Sequence, residues 1–215
     1  MKATAAVAKR GARTAPENVL GAAFRCFARY GYRRVALEQI AQEAGISRAA
    51  LYLHYKDKED LFRAVSREVH EKSQAAAEEA ARAEGDVVSR IEAALLAKHG
   101  KFFAIVSGSP HVAELLEERN RLCGDVSEAF RKRFQKLMRS VLEEADARGE
   151  LDLAGAGVDA GEAAELFVAG AKGVEMSGAE PLSPSLYRRR VARLVRVLAA
   201  GLRARAPRAR RRMSN

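Results

Sequence analysis

The stretch GISRAALYLHYKDKEDL, residues 45–61, gathers the side chains best able to do chemistry in this 215-residue chain. It holds Ser47, Arg48, Tyr52, His54, Tyr55, Lys56 and Lys58, with Ala49 and Ala50 among them. Polar-tipped aromatics spaced by alanine make a poor core face. They suit a surface that meets a nucleic acid, where small residues allow close approach and polar tips reach bases and phosphates. Arg48 is placed to read a guanine edge or hold a phosphate, and Ser47 can add a hydroxyl. Lys58 falls in the first turn of an expected helix, where the dipole ordinarily favours acids. A phosphate docked at that N-terminus would account for it.

The remaining chemistry-bearing residues point to no reaction. Gly155-Ala156-Gly157 has no strand before it and lacks the spacing of a phosphate-binding glycine loop. His111 and Glu114 lie one helical turn apart and His70 adjoins Glu71, yet neither pair has a third ligand or nucleophile at diagnostic spacing. No catalytic, metal or cofactor site is expected. Cys26 and Cys123 are solitary and outside any C-x-x-C, and Cys26 sits on an apolar helical stripe, so a buried free thiol is expected.

The elements that must position residues 45–61 are helical. Nearly half the chain is hydrophobic, tryptophan is absent and only 5 residues are proline, which favours an all-α fold. Thr14-Ala15-Pro16-Glu17 is a T-x-x-E capping box opening a first helix. Leu20, Ala23, Phe24 and Phe27 form its apolar face, and Tyr30-Gly31 ends it. A short helix over about 37–44 turns its Leu37, Ile40, Ala41 and Ala44 inward and stops at Gly45, suited to a left-handed position. Ser47 caps a third, roughly 48–54, and Asp57 a fourth. Two short helices joined at Gly45 match a helix-turn-helix. Longer helices are expected at about 58–83, 86–106, 110–121, 124–147, 159–177 and 184–204, with a loop from Gly149 to Val158.

Charge is unevenly spread. Residues 1–58 hold 11 Lys and Arg against 4 Asp and Glu, residues 59–180 hold 16 against 24, and residues 181–215 hold 11 arginines and no acid. A basic head suggests a polyanionic partner. No run approaches the roughly 18–20 apolar residues of a membrane span, and the N-terminus lacks a signal-peptide core, so no membrane partner and a cytoplasmic location are expected.

The run GYRRVALEQIAQEAGISRAALYLHYKDKEDLFRAV resembles the DNA-binding domain of TetR/AcrR-type transcriptional regulators. The recognisable parts are a Gly-aromatic closing helix 1, then I-A-x-x-A-G-[IV]-S, then L-Y-x-H-[FY]-K-x-K-E-x-L. The resemblance covers about residues 14–70. It implies that Tyr52 and His54 are the family's backbone-contacting aromatics and that Lys58 holds a phosphate. The chain departs from the family at Val35-Ala36, where Ser or Thr is usual, at Leu53 in place of an aromatic, and at Tyr55 in place of Phe. Arg33 and Arg34 would compensate with charge at the first of these, Lys9, Arg10 and Arg13 would track the DNA backbone or minor groove, and Tyr55 would pack in the core.

The resemblance further implies a DNA-binding domain at 14–70 and a ligand-binding and dimerisation domain at 71–204, between a basic arm at 1–13 and a basic tail at 205–215 that has no apolar pattern and is expected to be disordered. Phe102, Phe103, Val106, His111, Leu115, Phe130, Phe134, Met138 and Phe167 are candidates to line a cavity for an unidentified small molecule. Val191, Leu194, Val195, Leu198 and Leu202 form a stripe flanked by arginines, and Gly170 and Gly173 in the preceding helix allow close helix contact. In the family the last two helices of each chain form a four-helix dimer interface. The expected protein is a ligand-responsive homodimeric repressor on a near-palindromic DNA operator. Its rivals are an activator, a regulator without a working cavity, and an architectural DNA binder without sequence preference.

Overall fold

The computed structural model describes residues 15–106, 108–176 and 183–203, with backbone alone at 15–17, 100–106 and 176. The basic arm, the Thr14–Glu17 capping box, the side chains of Phe102, Phe103 and Val106, and the tail lie outside the described residues. Among the described residues ten helices follow in chain order: α1 (Ala15–Tyr30), α2 (Leu37–Ala44), α3 (Arg48–Tyr52), α4 (Lys58–Arg82), α5 (Val87–Val106), α6 (Val112–Leu122), α7 (Gly124–Ala147), α8 (Leu153–Ala156), α9 (Ala160–Met176) and α10 (Pro184–Leu202). No strand occurs among the described residues. The expected loop 149–158 contains α8, capped by Asp152, whose Oδ1 accepts the Gly155 N–H at 2.7 Å. One turn is too short to show a period in sequence.

The helices form two compact units. The first comprises the chain up to Glu68 together with Pro110–Cys123, and the second comprises Val69–Ser109 and Gly124 onward. The α6 segment therefore clusters with the N-terminal helices, not with the larger domain to which its place in the chain would assign it. Within the first unit, Val19, Ala23 and Phe27 of α1 are buried, as are Ile40, Leu51, Leu61 and Phe62. Phe27, Tyr32 and Phe62 form an aromatic triangle, with ring centres 4.9–5.7 Å apart. The two edge-on pairs, Phe27–Phe62 and Tyr32–Phe62, each contribute about 0.5–1.5 kcal/mol beyond buried area. Gly31 (φ 81°) is fixed twice over. Its backbone is left-handed, and a Cβ there would sit 2.5 Å from the Glu114 carboxylate of α6.

In the second unit Ala77, Ile91, Leu95, Phe134, Met138, Leu142, Phe167 and Tyr187 are buried among α4, α5, α7, α9 and α10. This core corrects the expected dimer stripe. Val191, Val195 and Leu202 are buried in their own unit, whereas Leu194 and Leu198 are only partly buried against it. The two sets lie on different sides of α10, because 3.6 residues per turn separates 187-191-195-199-202 from 190-194-197-198-201. Gly170 does permit close contact, but with Leu194 of its own chain: a Cβ there would meet Leu194 Cδ2 at 2.9 Å. Gly173 faces open space. Cys26 and Cys123 are both buried and outside any disulfide, as their sequence context suggested for Cys26.

Candidate nucleic-acid interface

The helix-turn-helix is built by three local devices. The side-chain Oε1 of Gln39 accepts the Ala36 N–H at 2.9 Å, so the α2 start lacking Ser or Thr is capped from within. At its other end Gly45 adopts φ 70°, and the Ile46 N–H reaches the Ala41 carbonyl at 3.0 Å. Ser47 then caps α3 by accepting the Ala50 N–H at 3.1 Å. Its hydroxyl proton remains able to donate outward. Leu51 and Tyr55 are buried beneath, Tyr55 as expected.

What α3 leaves outside is the predicted set. Ser47, Arg48, Ala49, Tyr52 and His54 are all exposed, and Leu53 with them at 83%. Arg48 is held by Glu38 of α2 at 2.7 Å and lies over the Tyr52 ring at 5.4 Å from its centre. A carboxylate at its side and a ring beneath restrict a flexible guanidinium to one region of the face, lowering the entropy lost when it binds. Neither Glu38 nor Gln39 was singled out in the sequence. Both act through partners three or more residues away, and pattern alone does not reveal the pairing.

Lys58 is corrected. Its Nζ donates to the carbonyls of Tyr32, Arg33 and Val35 at 3.0, 3.2 and 3.1 Å and lies 4.8 Å from the Tyr32 ring centre. All three ammonium protons are used to pin the α1–α2 turn. The start of α4 is meanwhile served by acids: Asp57 Oδ1 accepts the Asp60 N–H at 2.8 Å, and Asp60 Oδ2 accepts the Lys56 N–H at 3.1 Å. The lysine's long stem lets it leave a helix start that disfavours it.

Arg33 is corrected likewise. Its guanidinium bridges Glu117 at 3.0 Å and Glu118 at 3.2 Å on α6, and its N–H donates to Glu114 Oε1 at 2.6 Å. Glu118 also binds Arg121 at 2.8 Å, and Arg63 donates to the Leu122 carbonyl. The acidic face of α6 thus holds α6 to the head, leaving Arg34, exposed like Arg33, as the cation of the pair outside this cluster. Burial pushes the Glu118 carboxyl up, but hydrogen bonds from Arg121 and Arg33 outweigh it and hold the group below its ordinary value. Its folded-state value lies below the unfolded one, so its stabilisation is present above the unfolded value and is lost as pH falls through the folded one. Acid unfolding should show a loss of stability below the usual carboxylate range that is smaller in Glu118→Gln. An identical acid limb in both proteins would count against this.

The cavity candidates are divided between the units. His111 and Leu115 belong to the first, where His111 Nδ1 lies 3.8 Å from Glu114 Oε2. Phe134, Met138 and Phe167 are buried in the core of the second, and Phe130 is half-buried there. The six candidates with described side chains therefore do not all belong to one unit. On α9 and α10 two exposed apolar residues escaped the sequence reading, Leu166 at 53% and Val197 at 71%. They stand out only once the core-facing side of each helix is known.

The family model for bacterial regulatory proteins of the tetR family matches residues 19–65. Over 59 residues the chain is 42% identical to the HTH-type transcriptional repressor Rv1474c of Mycobacterium tuberculosis, covering 27% of this chain and 32% of that protein. It is 41% identical over 54 residues to the HTH-type transcriptional regulator AcrR of Shigella flexneri, 25% of each chain. These matches span about a third or less of those relatives. The fold is similar to SmeT, the repressor of the Stenotrophomonas maltophilia multidrug efflux pump SmeDEF, at 25% identity and TM-score 0.62, covering 87% and 89% of the two chains. A SmeT–triclosan complex is similar at 23% identity and TM-score 0.64, covering 89% and 93%.

Proposed function

We propose that this chain, whose residues 19–65 match the tetR family model and whose N-terminal part is similar to AcrR-type regulators, is a TetR/AcrR-type, sequence-specific DNA-binding transcriptional regulator. In this reading it is a cytoplasmic homodimeric repressor, without catalytic activity, released from a near-palindromic operator by a small-molecule ligand. The observation that carries the DNA-binding reading is the outer face of α3, where Arg48 is steadied by Glu38 and Tyr52 among exposed Ser47, Ala49 and His54. The second helix of a helix-turn-helix enters the major groove, and two heads would meet two half-sites. Ser47, Tyr52, His54 and Arg34 would position the head on phosphates, while Arg48 reads a base. Release by a ligand is supported by the SmeT–triclosan complex among the structural relatives. Among the described residues no helix is long and apolar enough to cross a membrane.

Arg48→Ala should relax preference at one base pair in each half-site, at a cost of about 1–3 kcal/mol. Selection of binding sites from random duplexes reads this directly. If wild type and variant select the same motif, Arg48 is a phosphate contact and another side chain supplies the base reading.

A further inference from the structure

In the second unit α4, α5 and α7 enclose a positive charge that no carboxylate touches. Lys98 of α5 is only 8% exposed. Its Nζ donates to Oε1 of the fully buried Gln74 at 3.1 Å and lies 5.3 and 5.6 Å from the ring centres of Phe130 and Phe134. The Gln74 amide donates onward to Glu78 Oε1 at 3.1 Å. That same oxygen is taken from the other side by Arg133, at 2.8 and 3.1 Å. Glu78 thus pairs with Arg133 and reaches Lys98 only through the Gln74 amide. The other groups at the rings add no negative charge: His70 stacks on Phe130 at 5.2 Å and approaches Ser127 Oγ at 3.4 Å, and His99 meets the edge of Phe134 at 5.9 Å.

A buried ammonium ordinarily has an acid beside it, because removing an unpaired charge from water is costly. Here the contacts are one neutral amide and two ring faces, so two of three donors lack an acceptor among the described residues. Burial and then Arg133 pull the Lys98 pKa down to about 8, against the upward pull of Glu78. The group is still largely protonated at neutral pH.

We propose that Lys98 is the anion anchor of a ligand site in the second unit, taking the carboxylate or phenolate of a small hydrophobic monoanion whose apolar body lies against Phe130 and Phe134. A neutral ligand would leave the charge uncompensated. A polyanion would need a second open cation, and Glu78 already neutralises Arg133. The inference rests on the ligand-responsive reading above and gives it a chemical class.

Titration calorimetry of the full-length protein without DNA tests it, using benzoate, salicylate and decanoate beside benzyl alcohol and decanol. At least one acid should bind about tenfold or more tightly than its alcohol, and Lys98→Met should remove that preference. Carboxylates stay ionised from about pH 7 to about pH 9, so their affinity for wild type should fall across that range as Lys98 loses its proton. This pH profile serves if Lys98→Met does not fold. Acids and alcohols binding alike, an unchanged preference in Lys98→Met, or no binding by any acid would overturn the proposal, leaving Lys98 a structural charge. Because DNA is absent from the assay, a negative result leaves the DNA-binding reading standing, and the converse also holds.

Discussion

Lys58→Met is expected to lower the stability of the head by about 2 kcal/mol while leaving the salt dependence of DNA binding unchanged. A single side chain closes the α1–α2 turn through three carbonyls and the Tyr32 ring. Hydrogen bonds from a charged donor contribute about 1.5–3 kcal/mol each, but Lys58 is half-exposed and water can replace part of them. The expected total is therefore near that of one such bond. Urea unfolding, with hydrogen exchange at the α1 and α2 amides, measures the first half. A salt titration of binding to random duplex measures the second. An unaltered urea midpoint, with the log–log salt slope shallower by about one unit, would return Lys58 to the phosphate backbone.

Val197→Asp is expected to give a monomer that keeps its fold and binds a full palindrome little better than a half-site. Val197 is 71% exposed within its own chain, so a carboxylate there costs the isolated subunit almost nothing. On the same two helices, Leu194 and Leu198 of α10 and Leu166 and Gly173 of α9 are left partly or largely uncovered. A two-fold interface on this surface would carry each substitution twice. An unpaired carboxylate removed from water costs several kcal/mol, and here two would be removed together. Sedimentation and half-site binding report the outcome. Val195→Asp is the contrasting control: Val195 is fully buried in its own core, and its loss should appear as unfolding. A folded, dimeric Val197→Asp protein would move the interface elsewhere.

These two residues also mark what could be read in sequence. Helix periods and caps were legible: Gly45, Ser47 and Asp57 act where their chemistry requires, and the long helices end within about two residues of their expected limits. The outer face of α3 was legible too, because small and polar-tipped residues alternate there in a pattern that no core needs. Direction was not. Lys58 stood out as a charge at a disfavoured helix start and Arg33 as half of a basic pair, yet their partners are backbone carbonyls across a turn and acids some 80 positions later in the chain. The α10 stripe failed for a related reason. Val191 and Leu194 are three residues apart and share one apolar pattern, and only packing against α5 and α9 decides which side turns inward. Lys98 was not legible at all, since burial of a lysine leaves no local trace in sequence.

The central claim is that the face around Arg48 reads sequence, and selection of sites from a random duplex library by the full-length protein tests it most directly. The expected result is an inverted repeat whose binding survives excess random competitor at near-physiological salt, with one position per half-site losing its preference in Arg48→Ala. Enrichment of no motif, with binding that competitor and salt abolish equally for every sequence, would contradict it and leave a basic architectural binder.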